Sequence, residues 1–470
     1  MRHERGRLGW RPTYSDKPHR RNFNKQGHTV FDSLRLYFGR KFALWIRLKP
    51  RYTGVQERHI FCNAPWNTLY LYWLTDVFLA KLLSNIGISD GMVGIISSFI
   101  TLAFVFQFLT IFIVKINVSA KKLVMLVDTI SIFFFMLLYL TPFLPLGKTG
   151  KTIFLMVCIL LAYVSKYLVM NICFAWANSF VSPHKRARFS ANKEMVSLFS
   201  GMVFTAVVGF VIDRFETKNN LSGSFLFIAV AILILNICNF IAYAMIGKDQ
   251  PKEKKERVLL SQVFQKTLGN RNFRSIIILT VLWDMARYFS IGFMGVFKNK
   301  ELMMSVFLVQ IINIAANLIR LFISKPMGKY ADKHSFSKGF KLGLCLAAAG
   351  FFVNIFTSGA TWFLIIIFTV LYNCAFAGTN QNSFNMVYSY VDSRYITEAM
   401  AIKNCIGGLF GFGASVLGSK ILDAVQNRGN LLFGVPVYGQ QILSGISFGI
   451  TVVAIIFVGK VVEKQKIMIQ

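Results

Sequence analysis

Twelve long apolar runs constrain this chain more than any other feature of its sequence. A helix of roughly 20 apolar residues, rising about 1.5 Å per residue, crosses the hydrocarbon of a bilayer. The pattern therefore predicts an all-α membrane protein with twelve transmembrane helices. The predicted spans are approximately 60–83, 91–114, 122–144, 152–180, 191–212, 223–246, 274–297, 303–324, 339–358, 361–384, 398–421 and 439–460.

The charged residues favour the lipid bilayer as the partner of this chain rather than a nucleic acid. Lys and Arg total 52 against 20 Asp and Glu, a net charge of +32, and they concentrate in the connections between apolar runs. Because basic loops stay on the cytoplasmic side, this pattern predicts a multi-pass protein of the cytoplasmic (inner) membrane with both termini cytoplasmic. Residues 1–58 form a basic cytoplasmic extension. Its segment 31–48 has the spacing of an amphipathic helix, which would lie on the membrane surface or contact a partner protein.

The two halves of the chain resemble each other. A shift of 210 residues places Lys193 on Lys403 and Gly201 on Gly411. Several such matches at one offset indicate a parallel repeat of six spans. We expect two pseudo-symmetric six-helix bundles, residues 59–247 and 274–470, joined by a basic cytoplasmic linker over 248–273.

A short motif after the eighth predicted span connects the chain to a known family. Gly328, Asp332 and Lys333 match the loop signature of the major facilitator superfamily, which this sequence resembles over about 60–465. Ser335 departs from the signature, where a second glycine is usual. Gly328 would allow two helix ends to approach closely. Asp332 would accept hydrogen bonds from a helix N-terminus or pair with Arg394, forming a gating latch, unless the loop only fixes the turn.

The resemblance implies a solute cavity between the halves, lined by the first, fourth, seventh and tenth spans. Polar and aromatic residues recur on one face of each of these spans, although aromatic residues at helical spacing also serve packing. The candidate substrate-binding residues are Asn63, Trp66, Asn67, Tyr70, Lys166, Tyr167, Asn171, Trp283, Arg287, Tyr288, Phe376 and Asn380.

Charged residues inside the predicted spans carry the functional hypothesis. Asp284 and Arg287 lie three residues apart in the seventh span, so they share a helix face and would partly neutralise each other. An Asp or Arg at helix centre costs about 2.5–3.5 kcal/mol, so that face should look at protein or water. We expect Lys166 to converge with them on one wet pocket, pairing with Asp284 or Asp76. The alternative is an internal ion pair that only steadies the bundle.

Asp284, and secondarily Asp76, are the predicted proton-coupling residues. Burial in a dry site favours the protonated form of a carboxyl group, and a nearby cation favours the ionised form. A sodium ion remains the alternative coupling ion. By contrast, Asp128 and Arg320 lie close to the inner face, where snorkelling or structural pairing is expected.

The sequence contains no nucleotide-binding loop, no nucleophile set and no metal-ligand spacing, so we predict neither an enzyme nor a cofactor. Its seven cysteines have the positions of small buried hydrophobic residues. The predicted function is secondary active transport of a small polar solute, sugar-like or an organic anion, as a proton-coupled symporter or permease. Two alternatives are efflux of hydrophobic compounds and a transport-inactive sensor or scaffold of the same fold.

Overall fold

The computed structural model of the chain divides into two units, residues 1–53 and 54–470. The first unit, with the predicted surface helix over 31–48, lies outside the residues that the structure describes. In the second unit the described residues are 54–69, 71, 76–109, 113, 119–181, 186–247, 265, 268–391, 396–432 and 435–465. Ten helices in this part are long and apolar enough to cross a membrane, and a shorter apolar stretch covers Asp90–Phe106.

The first bundle contains the helices of the first six predicted spans, and the first two spans are each divided into two helices. Its helices are α1 (Val55–Thr68), α2 (Asp76–Asn85), α3 (Asp90–Ser97), α4 (Phe99–Phe106), α5 (Ala120–Leu140), α6 (Lys148–Ser179), α7 (Arg186–Thr217) and α8 (Leu221–Met245). We call the end of the molecule where α1 begins the near end, and the end where α2 finishes the far end.

The second bundle contains the helices of the last six predicted spans. Its helices are α9 (Arg271–Tyr288), α10 (Val306–Lys333), α11 (Phe336–Ile355), α12 (Leu364–Tyr390), α13 (Ile396–Gln426) and α14 (Gly439–Phe457). After α9 the chain continues to Glu301 through 3₁₀ and π turns. A two-residue antiparallel β pair, Leu431–Leu432 with Val435–Pro436, lies between α13 and α14.

The same helix pairs contact each other in both bundles, which confirms the predicted pseudo-symmetric fold. In the first bundle α5 packs against α6 and α8, and in the second α11 packs against α12 and α14 in the same way. Likewise α1 contacts α7 and α8, while α9 contacts α13 and α14. Between the bundles, α13 packs on α3 and α4, and α7 packs on α10. In each of these contacts the fifth span of one bundle packs on the second span of the other bundle. A quasi-two-fold axis between the bundles produces this arrangement.

Polar residues at the helix starts explain where several helices begin. Ser305 accepts a hydrogen bond from the backbone N–H of Leu308, and Ser335 accepts one from that of Lys338. Asn270 does the same for the backbone N–H groups of Asn272 and Phe273. Each cap supplies an acceptor to N–H groups that have no partner within their own helix.

The motif that suggested the family lies inside a helix, which corrects the predicted loop after span 8. α10 continues through Pro326 to Lys333, and Ser335 already caps α11. The predicted close approach at Gly328 is wrong, because a Cβ atom added there would meet nothing within 4 Å. The close approach occurs at Gly343 instead, where an added Cβ would lie 2.8 Å from the carbonyl oxygen of Ala375.

Candidate functional site

An ion pair is buried inside the first bundle. Lys166 of α6 donates to Asp128 Oδ1 of α5 at 2.6 Å, and both side chains are buried. The Lys166 ammonium also donates to the side-chain oxygen of Asn67 at 2.9 Å and to its backbone oxygen at 3.3 Å. This cation therefore has at least three acceptors, two of them from α1.

Amides and a phenol complete the surroundings of Asp128. Its second oxygen accepts from Asn239 of α8 at 2.8 Å and from Asn67 at 3.3 Å. Asn239 in turn accepts from Asn63 at 3.1 Å. Asn67 is also hydrogen-bonded to the Tyr243 hydroxyl. The carboxylate comes from α5, the cation from α6, and the neutral polar partners from α1 and α8. Hydrogen bonds connect all of these groups into one network, which stabilises the buried charges.

This network forms part of the wall of a cavity of about 270 Å³. The lining residues come from α1, α5, α6, α7 and α8 and lie in the near-end half of the first bundle. Lys193 of α7 is among them, with its ammonium 5.1 Å from the centre of the Phe174 ring. The volume is sufficient for a small polar molecule or several waters.

A second ion pair occupies the second bundle. Asp284 Oδ1 and Arg287 Nη2 of α9 are 3.0 Å apart, so the predicted pairing along one helix face is present. The same guanidinium donates to the Tyr288 hydroxyl at 3.2 Å and lies 4.6 Å from the centre of that ring. Phe376 of α12 packs edge-on against Trp283 at 6.3 Å and lies 5.8 Å from the guanidinium carbon of Arg287.

α13 brings a second cation to this centre. Lys403 is buried, donates to Ser383 Oγ at 2.8 Å and interacts electrostatically with Asp284 and Arg287. One turn further along α13, Gly407 leaves room for Asp284, since a Cβ atom added there would overlap its carboxylate. The sequence therefore places a glycine where α13 must pass the buried carboxylate closely.

Tyr167 lies between the two ion centres. It interacts electrostatically with Lys166 in its own bundle and with Arg287 and Tyr288 in the other. Its ring packs edge-on against Phe104 of α4 at 4.7 Å. One candidate residue thus connects the first-bundle centre with the second-bundle centre.

The expected convergence of three charges on one pocket needs correction. Lys166 pairs with Asp128 rather than with Asp284 or Asp76, because α5 and α6 are neighbours within one bundle. Of the two expectations for Asp128, snorkelling or a structural pair, the structure shows the pair, with Asp128 buried at 1% exposure. The structure thus has two ion centres, one in each bundle, instead of one shared cluster.

The remaining predicted residues are distributed as follows. Trp66 packs against the hydrophobic core, and Asn380 is exposed. Asp332 and Lys333 are exposed at the near end of α10. Four predicted positions have side chains outside the described part of the chain, namely Tyr70, Asp76, Asn171 and Arg394.

Sequence reasoning missed Asp128, Asn239, Tyr243 and Lys403 as members of the ion centres. A signal existed for Lys403, because the 210-residue shift aligns it with Lys193, which lines the first-bundle cavity. Asn239 and Tyr243 lie one turn apart on α8 and therefore share a face. The sequence contains no such signal for the partner of Asp128, because its contact with Lys166 depends on how α5 and α6 pack together.

Two aspartates at the far end connect the bundles. Asp213 of α7 accepts from the backbone N–H groups of Val306 and Phe307 at 3.0 and 2.9 Å, so it caps α10 of the other bundle. Asp423 of α13 accepts from the backbone N–H of Gly91 at the start of α3. The two aspartates are 210 residues apart, the offset of the internal repeat. We call this pair the far-end latch.

Further contacts close the far end around this latch. Asp90 is paired with Lys300 and accepts from Gln426 at 2.9 Å, which again joins the first bundle to the second. At Gly209 of α7, an added Cβ atom would lie 3.2 Å from Cα of Phe307. Close backbone packing and ionic hydrogen bonds therefore hold the two bundles together here.

Two six-helix bundles with a quasi-two-fold relation and buried ion pairs define a multi-pass helical membrane protein. The family description Major Facilitator Superfamily matches residues 67–415, and the chain belongs to that family of membrane transporters. A comparison with curated proteins found no match.

Solved structures with the same fold are distant in sequence. The nucleoside transporter NupG is 12% identical with a TM-score of 0.63, over 88% of this chain and 100% of that one. A D-xylose-proton symporter is 14% identical with a TM-score of 0.67, over 88% and 100%. A bacterial homolog of the human lysosomal transporter Spinster, inward-facing and unoccupied, is 13% identical with a TM-score of 0.63, over 87% and 97%. At these identities the likeness shows the fold.

Proposed function

We propose that this protein is a secondary active transporter that moves a small polar solute by alternating access and is driven by a proton gradient. The observation that supports this most is the buried carboxylate of Asp284 between Arg287 and Lys403. Burial favours the protonated acid, whereas the two cations favour the ionised form. A carboxylate under these opposing influences is suited to take up and release a proton during each cycle.

Alternating access requires contacts that form at one end and break at the other. The far-end latch of Asp213 and Asp423 supplies such contacts, because each carboxylate binds backbone N–H groups of the opposite bundle. Opening the far end would expose these helix N-termini to water. Asp332, Lys333 and Arg394 remain our proposed contacts for closing the near end.

The near end is proposed to be cytoplasmic, in the inner membrane of the cell. Lysines in the last turns of α10 and the first turns of α11, which meet at this end, support the assignment under the positive-inside rule. We keep the proposed boundaries of 59–247 and 274–470 for the bundles and 248–273 for the cytoplasmic linker.

The two ion centres are proposed to contact the solute from either side. Asn63, Asn67 and Lys166 line the first-bundle cavity, which favours hydrogen bonding to a polar solute. Tyr167 and Tyr288 lie where the centres approach each other. The solute would stay between these residues while the bundles rock, so that the site opens first to one side of the membrane and then to the other.

Gradient-driven uptake into proteoliposomes tests the coupling role of Asp284. In Asp284→Asn we expect loss of uptake driven by a pH gradient, while exchange of labelled for unlabelled solute is retained. The reason is that exchange needs the alternating step but no net proton movement. Glu216→Gln is a matched control, because the exposed Glu216 side chain pairs with Lys81 at 2.7 Å at the edge of the bundle, outside both ion centres.

Three outcomes separate the function classes. Full gradient-driven uptake by Asp284→Asn would remove Asp284 from coupling and leave transport itself standing. Uptake driven by sodium but not by protons would replace the coupling ion. Neither uptake nor exchange of any solute by the wild type would favour a sensor or scaffold over a transporter.

A further inference from the structure

Two arginines lie over one aromatic ring in the second bundle, and a buried lysine lies near one of them. The guanidinium carbons of Arg287 and Arg320 lie 5.8 and 5.7 Å from the centre of the Phe376 ring. Lys403 interacts electrostatically with Arg287. Arg287 and Lys403 both interact with the Asp284 carboxylate, so two cations face one carboxylate here. The centre therefore carries a positive excess inside the membrane.

Such an excess is costly unless an anion balances it. Like charges repel strongly in a low-dielectric interior, and an isolated buried cation loses several kcal/mol of hydration. Lys403 is 4% exposed, and its hydrogen-bond acceptor in the described part of the chain is the neutral hydroxyl of Ser383. Apolar side chains at these positions would stabilise the fold as well or better, so stability alone does not explain the charges.

A second, independent observation points to a missing acceptor. Nε of Arg287 is buried and has no hydrogen-bond partner among the described residues. The other end of the same guanidinium serves Asp284 and Tyr288. A buried donor without an acceptor is uncommon and costs free energy, so such a group often awaits a ligand or water.

We propose that the second bundle binds the anionic group of the transported solute, a carboxylate or a phosphate, between Arg287 and Lys403. The rings of Phe376 and Tyr288 flank the site. A guanidinium and an ammonium together match the oxygens of both groups. This inference rests on the proposed transport function and decides between its two solute classes in favour of the anion.

The site also explains how proton and solute would be coupled. Asp284 and the solute anion compete for Arg287, because both accept from the same guanidinium. When a proton adds to the Asp284 carboxylate, its negative charge is lost and Arg287 is released for the incoming anion. One proton then crosses with the solute and offsets one of its negative charges.

Thermal unfolding of the purified full-length protein tests the solute class with matched probes. The pairs are glucuronate and glucose, succinate and succinamide, and AMP and adenosine. We expect the anion of at least one pair to raise the unfolding temperature saturably by about 2 °C or more, and its neutral partner to do so at least tenfold more weakly. Arg287→Gln and Lys403→Gln should abolish the shift, whereas Lys403→Arg should retain it.

Arg214→Gln and Lys148→Gln are the matched controls. Arg214 also lies over an aromatic ring, Phe210, at 5.1 Å, but it is exposed at the far end, as is Lys148. Both variants should bind the anion as the wild type does.

If a variant fails to fold, the comparison of each anion with its neutral partner on the wild-type protein still decides the question. A neutral compound that stabilises as strongly as its anion, or no saturable shift with any of the three anions, overturns the anion site. A transported neutral solute would overturn this inference and leave the proposed function standing. An anion that binds but is never transported would instead count against the proposed function.

Discussion

Removing one half of the far-end latch should loosen the contact between the bundles without unfolding either of them. In Asp213→Ala the backbone N–H groups of Val306 and Phe307 lose their carboxylate acceptor, at 3.0 and 2.9 Å. Ser305 still caps the same helix by accepting from Leu308 at 3.2 Å, so α10 keeps its start. The loss therefore falls on the inter-bundle contact.

The magnitude follows from the cost of losing a helix cap. Substitution of a capping Asp by Ala costs about 1 kcal/mol, with an upper range of about 2 kcal/mol. Loss of a negative charge at a helix N-terminus adds about 0.3–1 kcal/mol. A total of about 2 kcal/mol shifts the equilibrium between closed and open far ends by a factor of about 30.

Hydrogen–deuterium exchange at single-residue resolution measures this shift directly. We expect the amides of Val306 and Phe307 to exchange about 10- to 30-fold faster in Asp213→Ala. Asp213→Asn should give a smaller increase, because the amide oxygen still accepts while the charge is lost. The amide of Lys338, which is capped by Ser335 within one bundle, should not change.

Two results would refute this reasoning. Unchanged exchange at both amides in Asp213→Ala would mean that the carboxylate does not hold the far end closed. Equal acceleration at Lys338 would mean that the whole second bundle is destabilised. The quasi-equivalent variant Asp423→Ala provides an independent check, because it should accelerate exchange at Gly91.

The remaining predictions concern the two ion centres and the family motif. Asp128→Asn leaves Lys166 buried beside a neutral amide, so we expect a loss of about 3 kcal/mol in thermal or denaturant unfolding, partly recovered by adding Lys166→Gln. Gly407→Ala should displace the Asp284 carboxylate and reduce proton-driven uptake about tenfold or more. Gly413→Ala should retain uptake, because a Cβ atom there would meet nothing within 4 Å. Gly328→Ala should leave the unfolding temperature unchanged, since it adds a methyl group in open space.

The fold could be predicted because bilayer thickness and loop charge act on long stretches of sequence. Errors of a few residues at helix ends do not change a span, so α1 beginning at Val55 rather than near 60 has no consequence for the topology. The internal repeat was visible because matches at one offset add up along the chain. Each of these signals is summed over many residues, so an error at a single position does not change the predicted fold.

The partners of single side chains could not be predicted in this way. Lys166 is buried within the helix of its predicted span, but its partner depended on which helices are neighbours and on which faces they present. α5 and α6 meet within one bundle, so Asp128 reaches Lys166 and Asp284 does not. The pairing of Asp284 with Arg287 was predictable, because both residues lie on one helix and the geometry is local.

The internal repeat separates what alternating access requires from what the solute requires. The far-end latch is nearly symmetric, since Asp213 and Asp423 correspond and each caps a helix of the opposite bundle. The ion centres are only partly symmetric under the same shift of 210 residues, because Lys403 corresponds to Lys193, whereas Arg287 corresponds to Val77 and Lys166 to Phe376. Rocking of two equivalent bundles needs equivalent contacts at their shared end, whereas a bound solute does not have this symmetry. The departures from symmetry at Arg287 and Lys166 therefore distinguish the two ion centres from the contacts of the moving scaffold.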